Sequence, residues 1–121
     1  MLIHPSALIS SSSIIGEATL ISHNVLIGPK VVLGVFNVLN SSSTIGHDST
    51  VGNYNFISPQ VAVGGHTKIG DGNLLGTNSC TIPDINMDNN NKITAGMVVV
   101  KHIKDNETIF YRFKENLIVR N

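Results

Sequence analysis

Large aliphatic residues recur at every sixth position along most of this chain. They are Ile3, Ile9, Ile15, Ile21, Ile27, Leu33, Leu39, Ile45, Val51, Ile57, Val63, Ile69, Leu75, Met87 and Ile93. Thr81 alone breaks the series. Glycine often follows directly, at Gly16, Gly28, Gly34, Gly46, Gly52, Gly64, Gly70 and Gly76, and all four prolines (Pro5, Pro29, Pro59, Pro83) fall one place further on. A helix repeats every 3.6 residues and a strand every two, so neither alone yields a period of six. The pattern predicts an all-β fold in which very short parallel strands wind round one axis as a β-helix of hexapeptide repeats.

Each hexad then has assigned places. The aliphatic residue points inward and stacks on its equivalents. Two and three places later come turn residues such as Pro29-Lys30, Asp71-Gly72, Pro83-Asp84 and Asn89-Asn90. Four places later the chain points inward again, with small or hydrogen-bonding residues such as Ser43, Ser49, Thr67 and Ser79. Three hexads make a triangular coil of eighteen residues, and Asn37, Asn55, Asn73 and Asn91 recur at that spacing. Coils should lie ~4.8 Å apart, so these amides are expected to form a buried ladder. The repeat predicts about five coils over residues 1–103. Beyond, Thr108-Ile-Phe-Tyr-Arg-Phe and Leu117-Ile-Val-Arg flank a turn, so residues 104–121 are expected to form a C-terminal cap, a β-hairpin covering the open end.

Composition narrows the functional classes. A chain of 121 residues with zero formal net charge has no basic stripe for nucleic acid. No apolar run is long enough to span a membrane, and the N-terminus lacks a signal-peptide pattern. The single cysteine, Cys80, cannot form an internal disulfide and suits a reducing compartment. A cytoplasmic protein is expected.

Stacked coils turn sequence spacing into proximity. One corner carries His47, Gly65 and Pro83 in one column and Lys30, Asp48, His66 and Asp84 in the next, with His102 at its end. A run of exposed charge is most often a solvated rim. His47-Asp48 has a sharper reading: an exposed imidazole accepts a proton near neutral pH, and a neighbouring carboxylate orients it. Beneath it, the Gly64-Gly65 turn lets a ligand approach a bare amide that could hold a developing oxyanion. Together these suit acyl transfer. His66 could pair with Asp48 or be an ordinary turn residue. His4 and His23 read as structural or solvated, and Cys80 has no base beside it.

The segments Ile45-Gly-His-Asp-Ser-Thr-Val-Gly, Phe56-Ile-Ser-Pro, Gly64-Gly-His-Thr-Lys-Ile-Gly, Thr81-Ile-Pro and Ala95-Gly-Met-Val-Val-Val-Lys resemble the bacterial sialic-acid O-acetyltransferase and nucleotide-aminosugar N-acetyltransferase family. The opening His4-Pro-Ser-Ala is similar to the start of that family's β-helix, and the resemblance spans residues 3–103. It implies a left-handed winding, a homotrimer, and acetyl transfer from acetyl-coenzyme A to an amine or hydroxyl of a sugar or nucleotide sugar in surface-polysaccharide synthesis, with no metal. By resemblance His47 is the general base and Asp48 its supporting acid. Gly65 supplies the amide that meets the thioester carbonyl, Asn40 contacts the acceptor, and Lys101 meets coenzyme A phosphates. The family's N-terminal nucleotide-sugar-binding domain is expected to be missing. Phe56 stands where many members carry a second histidine, and Tyr111-Arg-Phe-Lys replaces a closing Gly-x-Pro-Ala.

Two other classes compete. A non-catalytic β-helix could scaffold or regulate a sugar-modifying enzyme. A β-helix carbonic anhydrase would need histidines sharing a metal between subunits; His23, His47 and His66 occupy different corners or turn positions, which disfavours it.

Overall fold

The computed structural model describes residues 1–111 and 119–120. Three parallel sheets of two-residue strands form the walls of a left-handed β-helix of about six turns. A seven-stranded sheet runs Leu2–Ile3, Leu20–Ile21, Val38–Leu39, Phe56–Ile57, Leu74–Leu75, Lys92–Ile93, Thr108–Ile109. A six-stranded sheet stacks Leu8–Ile9, Leu26–Ile27, Thr44–Ile45, Ala62–Val63, Cys80–Thr81 and Val98–Val99. A five-stranded sheet stacks Ile14–Ile15, Val32–Leu33, Thr50–Val51, Lys68–Ile69 and Asn86–Met87. Register is uniform: Ile21, Leu39, Ile57, Leu75 and Ile93 lie directly over one another, and all five are buried.

The six-residue period works because only the second residue of each strand faces in. Its predecessor faces out, so Leu20, Phe56 and Leu74 are exposed while Ile21, Ile57 and Leu75 are buried. The corner residue four places on is buried too, as Val25, Ser43, Val61, Asn73 and Ile85 show. From Ala18 onward most turns place their second residue in the left-handed region, including bulky Phe36, Tyr54 and Gln60 near φ +60°. Such conformations cost energy without glycine. Here most of them aim an N–H at the coil before, as in Asp48 N–H to Pro29 O (2.9 Å) and His66 N–H to His47 O (2.9 Å).

The asparagine ladder is present. Asn37, Asn55, Asn73 and Asn91 are all buried. Each of the first three accepts the next coil's Asn N–H on its side-chain oxygen, at 2.8–2.9 Å. Their amide groups donate to Gly52 O, Gly70 O and Asp88 O. A second ladder on the outer corner was not read from the sequence. There Val35, Asn53, Asp71 and Asn89 donate N–H groups to the side chains of Asn53, Asp71, Asn89 and Asp105.

The winding continues past residue 103. From Val99 the next inward residue comes after four positions, not six: Ile103 bridges to Met87, and Ile109 then lies over Ile93. This last coil is sixteen residues long at that register, so the six-residue pattern slips by two and ceases to be visible. Thr108–Ile109, read as the first strand of a hairpin, pairs in parallel with Lys92–Ile93. The hairpin's expected partner begins at Leu117, and residues 112–118 and 121 lie outside the described residues.

Candidate active site

The corner joining the six- and five-stranded sheets brings His47, Asp48, Gly65 and His66 together. His47 and Asp48 are the two turn residues after Thr44–Ile45; Gly65 and His66 occupy the equivalent places one coil on. The His47 Nδ1–H donates to Asp48 Oδ2 at 2.9 Å. That bond, aided by the nearby His66 and Lys30, holds the Asp48 carboxyl below the usual aspartate range. The tautomer follows: with its proton on Nδ1, a neutral His47 keeps a lone pair on Nε2.

Gly65 leaves room for this ring in its present rotamer. A Cβ at Gly65 would sit 2.8 Å from His47 Nε2 and 3.1 Å from its two neighbouring carbons. Any side chain there would push the imidazole off the turn. Among the described residues nothing accepts the Gly65 N–H, so the turn one coil from His47 keeps an unused backbone donor. Gly46, one coil earlier, is needed by the backbone instead, because a Cβ there would lie 2.6 Å from the Gly65 nitrogen.

Thr81 explains its own departure from the aliphatic series. In the equivalent places Gly28 and Gly46 donate their N–H groups to the carbonyls of Ile45 and Val63. Gly64 instead donates to the Thr81 hydroxyl at 3.0 Å, and Thr81 is buried. The hydroxyl therefore supports the Gly64-Gly65 turn from below. The break in the six-residue series was the available sequence signal, but no role was read from it.

His66 stands beside the pair: its Nε2 is 3.9 Å from Asp48 Oδ2, and its ring meets that of His47 edge-on at 5.1 Å between centroids. All three side chains are exposed. Lys101 lies on the same corner, in the shortened turn between Val99 and Ile103, three coils or ~14 Å from His47. It borders a cleft of about 330 Å³ with Val99, Val100, Ile103 and Ile109, at the shortened last coil. Asn40 lies elsewhere, at the corner between the seven- and six-stranded sheets, where its amide donates to Ile57 O at 3.1 Å. One chain therefore does not place Asn40 on the His47 corner. Phe56 faces outward from the seven-stranded sheet, away from that corner as well.

No family model and no curated protein matches this sequence. Solved structures do, among them hexapeptide-repeat acyltransferases. The chain is similar to the acetyltransferase domain of PglB from Neisseria gonorrhoeae FA1090, with a TM-score of 0.86 at 30% identity over 88% of this chain and 52% of that one. That domain has also been solved in complex with acetyl coenzyme A. The chain is likewise similar to perosamine N-acetyltransferase from Caulobacter crescentus in complex with CoA and GDP-perosamine. There the TM-score is 0.86 at 27% identity, over 88% of this chain and 50% of that one. AntD, an N-acyltransferase from Bacillus cereus, has a TM-score of 0.80 at 14% identity over 85% and 72% of the two chains and speaks to the fold alone. This chain thus spans about half the length of the PglB and perosamine N-acetyltransferase chains.

Proposed function

We propose that this chain transfers an acetyl group from acetyl-coenzyme A to an amine or hydroxyl of a sugar, with a nucleotide sugar as the favoured acceptor class. The observation that carries the reading is the His47 corner: an imidazole with Nδ1 committed to Asp48 and Nε2 packed against the Gly65 turn, whose N–H has no acceptor among the described residues. The likeness to an acetyltransferase domain solved with acetyl coenzyme A and to a perosamine N-acetyltransferase solved with CoA and GDP-perosamine supports the substrate classes.

The chemistry follows from these positions. His47 Nε2 accepts the acceptor's proton as its nitrogen or oxygen attacks the thioester carbonyl. Negative charge develops on the carbonyl oxygen, and the Gly65 N–H is the donor placed to stabilise it. The imidazolium that forms is stabilised by the Asp48 carboxylate. Collapse breaks the C–S bond, and the imidazolium returns its proton to the leaving thiolate. The acetyl group passes directly between substrates, with no covalent enzyme intermediate.

Lys101, on the same corner beside an apolar cleft, suits the donor's phosphates. Asn40 suits the acceptor only if supplied by a neighbouring subunit, since within one chain it occupies another corner. We therefore favour a homotrimer with sites between adjacent β-helices, working in the cytoplasm in surface-polysaccharide synthesis. Saturation-transfer NMR with acetyl-coenzyme A tests the reading. Transfer to the adenine and pantetheine protons, lost in Lys101→Glu, is expected. A folded protein giving no transfer at millimolar donor would replace the enzyme reading with that of a scaffold.

A further inference from the structure

We propose that His47, Asp48 and His66 form a site for one divalent transition ion of the zinc type, and that the ion blocks acyl transfer. The binding half stands on geometry alone; the blocking half rests on the reading of His47 as base.

The three residues each offer a donor atom, and these atoms all lie within 4.8 Å of one another. Two separations are 2.9 Å, from His47 Nδ1 to Asp48 Oδ2, and 3.9 Å, from His66 Nε2 to the same oxygen. Zinc holds imidazole nitrogen and carboxylate oxygen at about 2.0–2.2 Å, so ligands round a tetrahedral ion stand about 3.3–3.6 Å apart. The two separations fall on either side of that range. The backbone under all three is fixed by coil stacking: Asp48 N–H bonds Pro29 O, and His66 N–H bonds His47 O. The side chains themselves are exposed, with relative accessibilities of 57%, 36% and 57% for His47, Asp48 and His66, so small rotations close the set. Three protein ligands leave the fourth position to water.

Ligand type selects the ion. Two imidazoles and one carboxylate favour zinc, nickel or copper over magnesium or calcium, which prefer oxygen. Other charges facing the cluster are few and mixed. Lys30 stands one coil before Asp48 in the same column and opposes a cation; Asp84 stands one coil after His66 and favours one.

The consequence for chemistry is specific. A neutral imidazole carries one ring proton. When Nδ1 binds the ion, that proton must reside on Nε2. The nitrogen that would accept the acceptor's proton then has no lone pair, and Asp48 is engaged by the metal as well.

Chelator-treated protein without a histidine tag is titrated with zinc chloride by calorimetry and with cobalt(II) by visible absorption. One ion per chain is expected at this cluster, with affinity at least ~10-fold weaker in His66→Gln and in Asp48→Asn, and with unchanged circular dichroism. In the transfer assay zinc should inhibit, and EDTA should restore the rate. The half-inhibiting zinc concentration should rise at least ~10-fold in His66→Gln, relative to that variant's own metal-free rate. Absence of binding at sub-millimolar zinc, or equal binding by His66→Gln, overturns the site. Zinc bound at these residues with transfer unimpaired overturns the blocking role. If the wild type transfers no acetyl group, calorimetry still decides the site, and the enzyme reading alone fails.

Discussion

His47 has one ring nitrogen engaged and one free, and this division is set by its immediate neighbour. Asp48 accepts the Nδ1–H at 2.9 Å, and the same bond lowers the carboxyl's pKa. A carboxylate lowered in this way contributes its pairing above the unfolded pKa and loses it as pH falls through the lowered one. Asp48 therefore stays ionised through the neutral and mildly acidic range in which an imidazole titrates. In ¹³C NMR the Asp48 carboxyl should titrate below an unpaired aspartate, and His47→Ala should move it back upward, since His47 is the largest cause. An unshifted wild-type midpoint would contradict the pairing. The His47-Asp48-Gly65 grouping was legible in the sequence because residues eighteen apart stack. His66 was legible only as an even choice, since its ring's approach to Asp48 depends on rotamers that spacing does not encode.

At the scale of the element, the coil is held less by strand length than by side chains that replace missing strand. Two residues per strand give few ladder bonds, so buried asparagines take up the corner's backbone groups. Asn73 shows the economy. Its Oδ1 accepts the Asn91 N–H and its Nδ2 donates to Asp88 O. Asn73→Ala strands both groups, at about 1–3 kcal/mol for each one left buried. Chemical denaturation should show a lower midpoint with an unchanged denaturant slope; a midpoint equal to wild type would contradict the ladder's role. The eighteen-residue recurrence of Asn37, Asn55, Asn73 and Asn91 made this ladder readable in advance. The outer ladder through Asn53, Asp71, Asn89 and Asp105 was not, because alternating Asn and Asp at a turn is also the composition of an unladdered loop. The last coil was hidden for a different reason. Ile103 follows Val99 by four positions, which shifts the register while Ile103 still bridges Met87.

At the scale of the whole molecule, the fold sets His47, Asp48 and His66 along one straight, exposed corner. His47, Gly65 and Lys101 fall on that corner; Asn40 falls on another. A flat corner gives an acceptor few walls, which is the physical ground for proposing that neighbouring copies complete the site. Light scattering should give three times the 12.9 kDa chain mass; a monomer at micromolar concentration would contradict both the trimer and a site shared between subunits. The central claim is that His47 is the base for acetyl transfer, and one comparison tests it most directly. Thiol release from acetyl-coenzyme A is followed with a panel of amino- and hydroxy-sugar nucleotides, for wild type and for His47→Ala of equal thermal stability. The account predicts turnover by wild type and a loss of ~10²–10⁴-fold in the variant, because an exposed turn residue contributes little packing. A variant that turns over as fast as wild type would place the chemistry elsewhere.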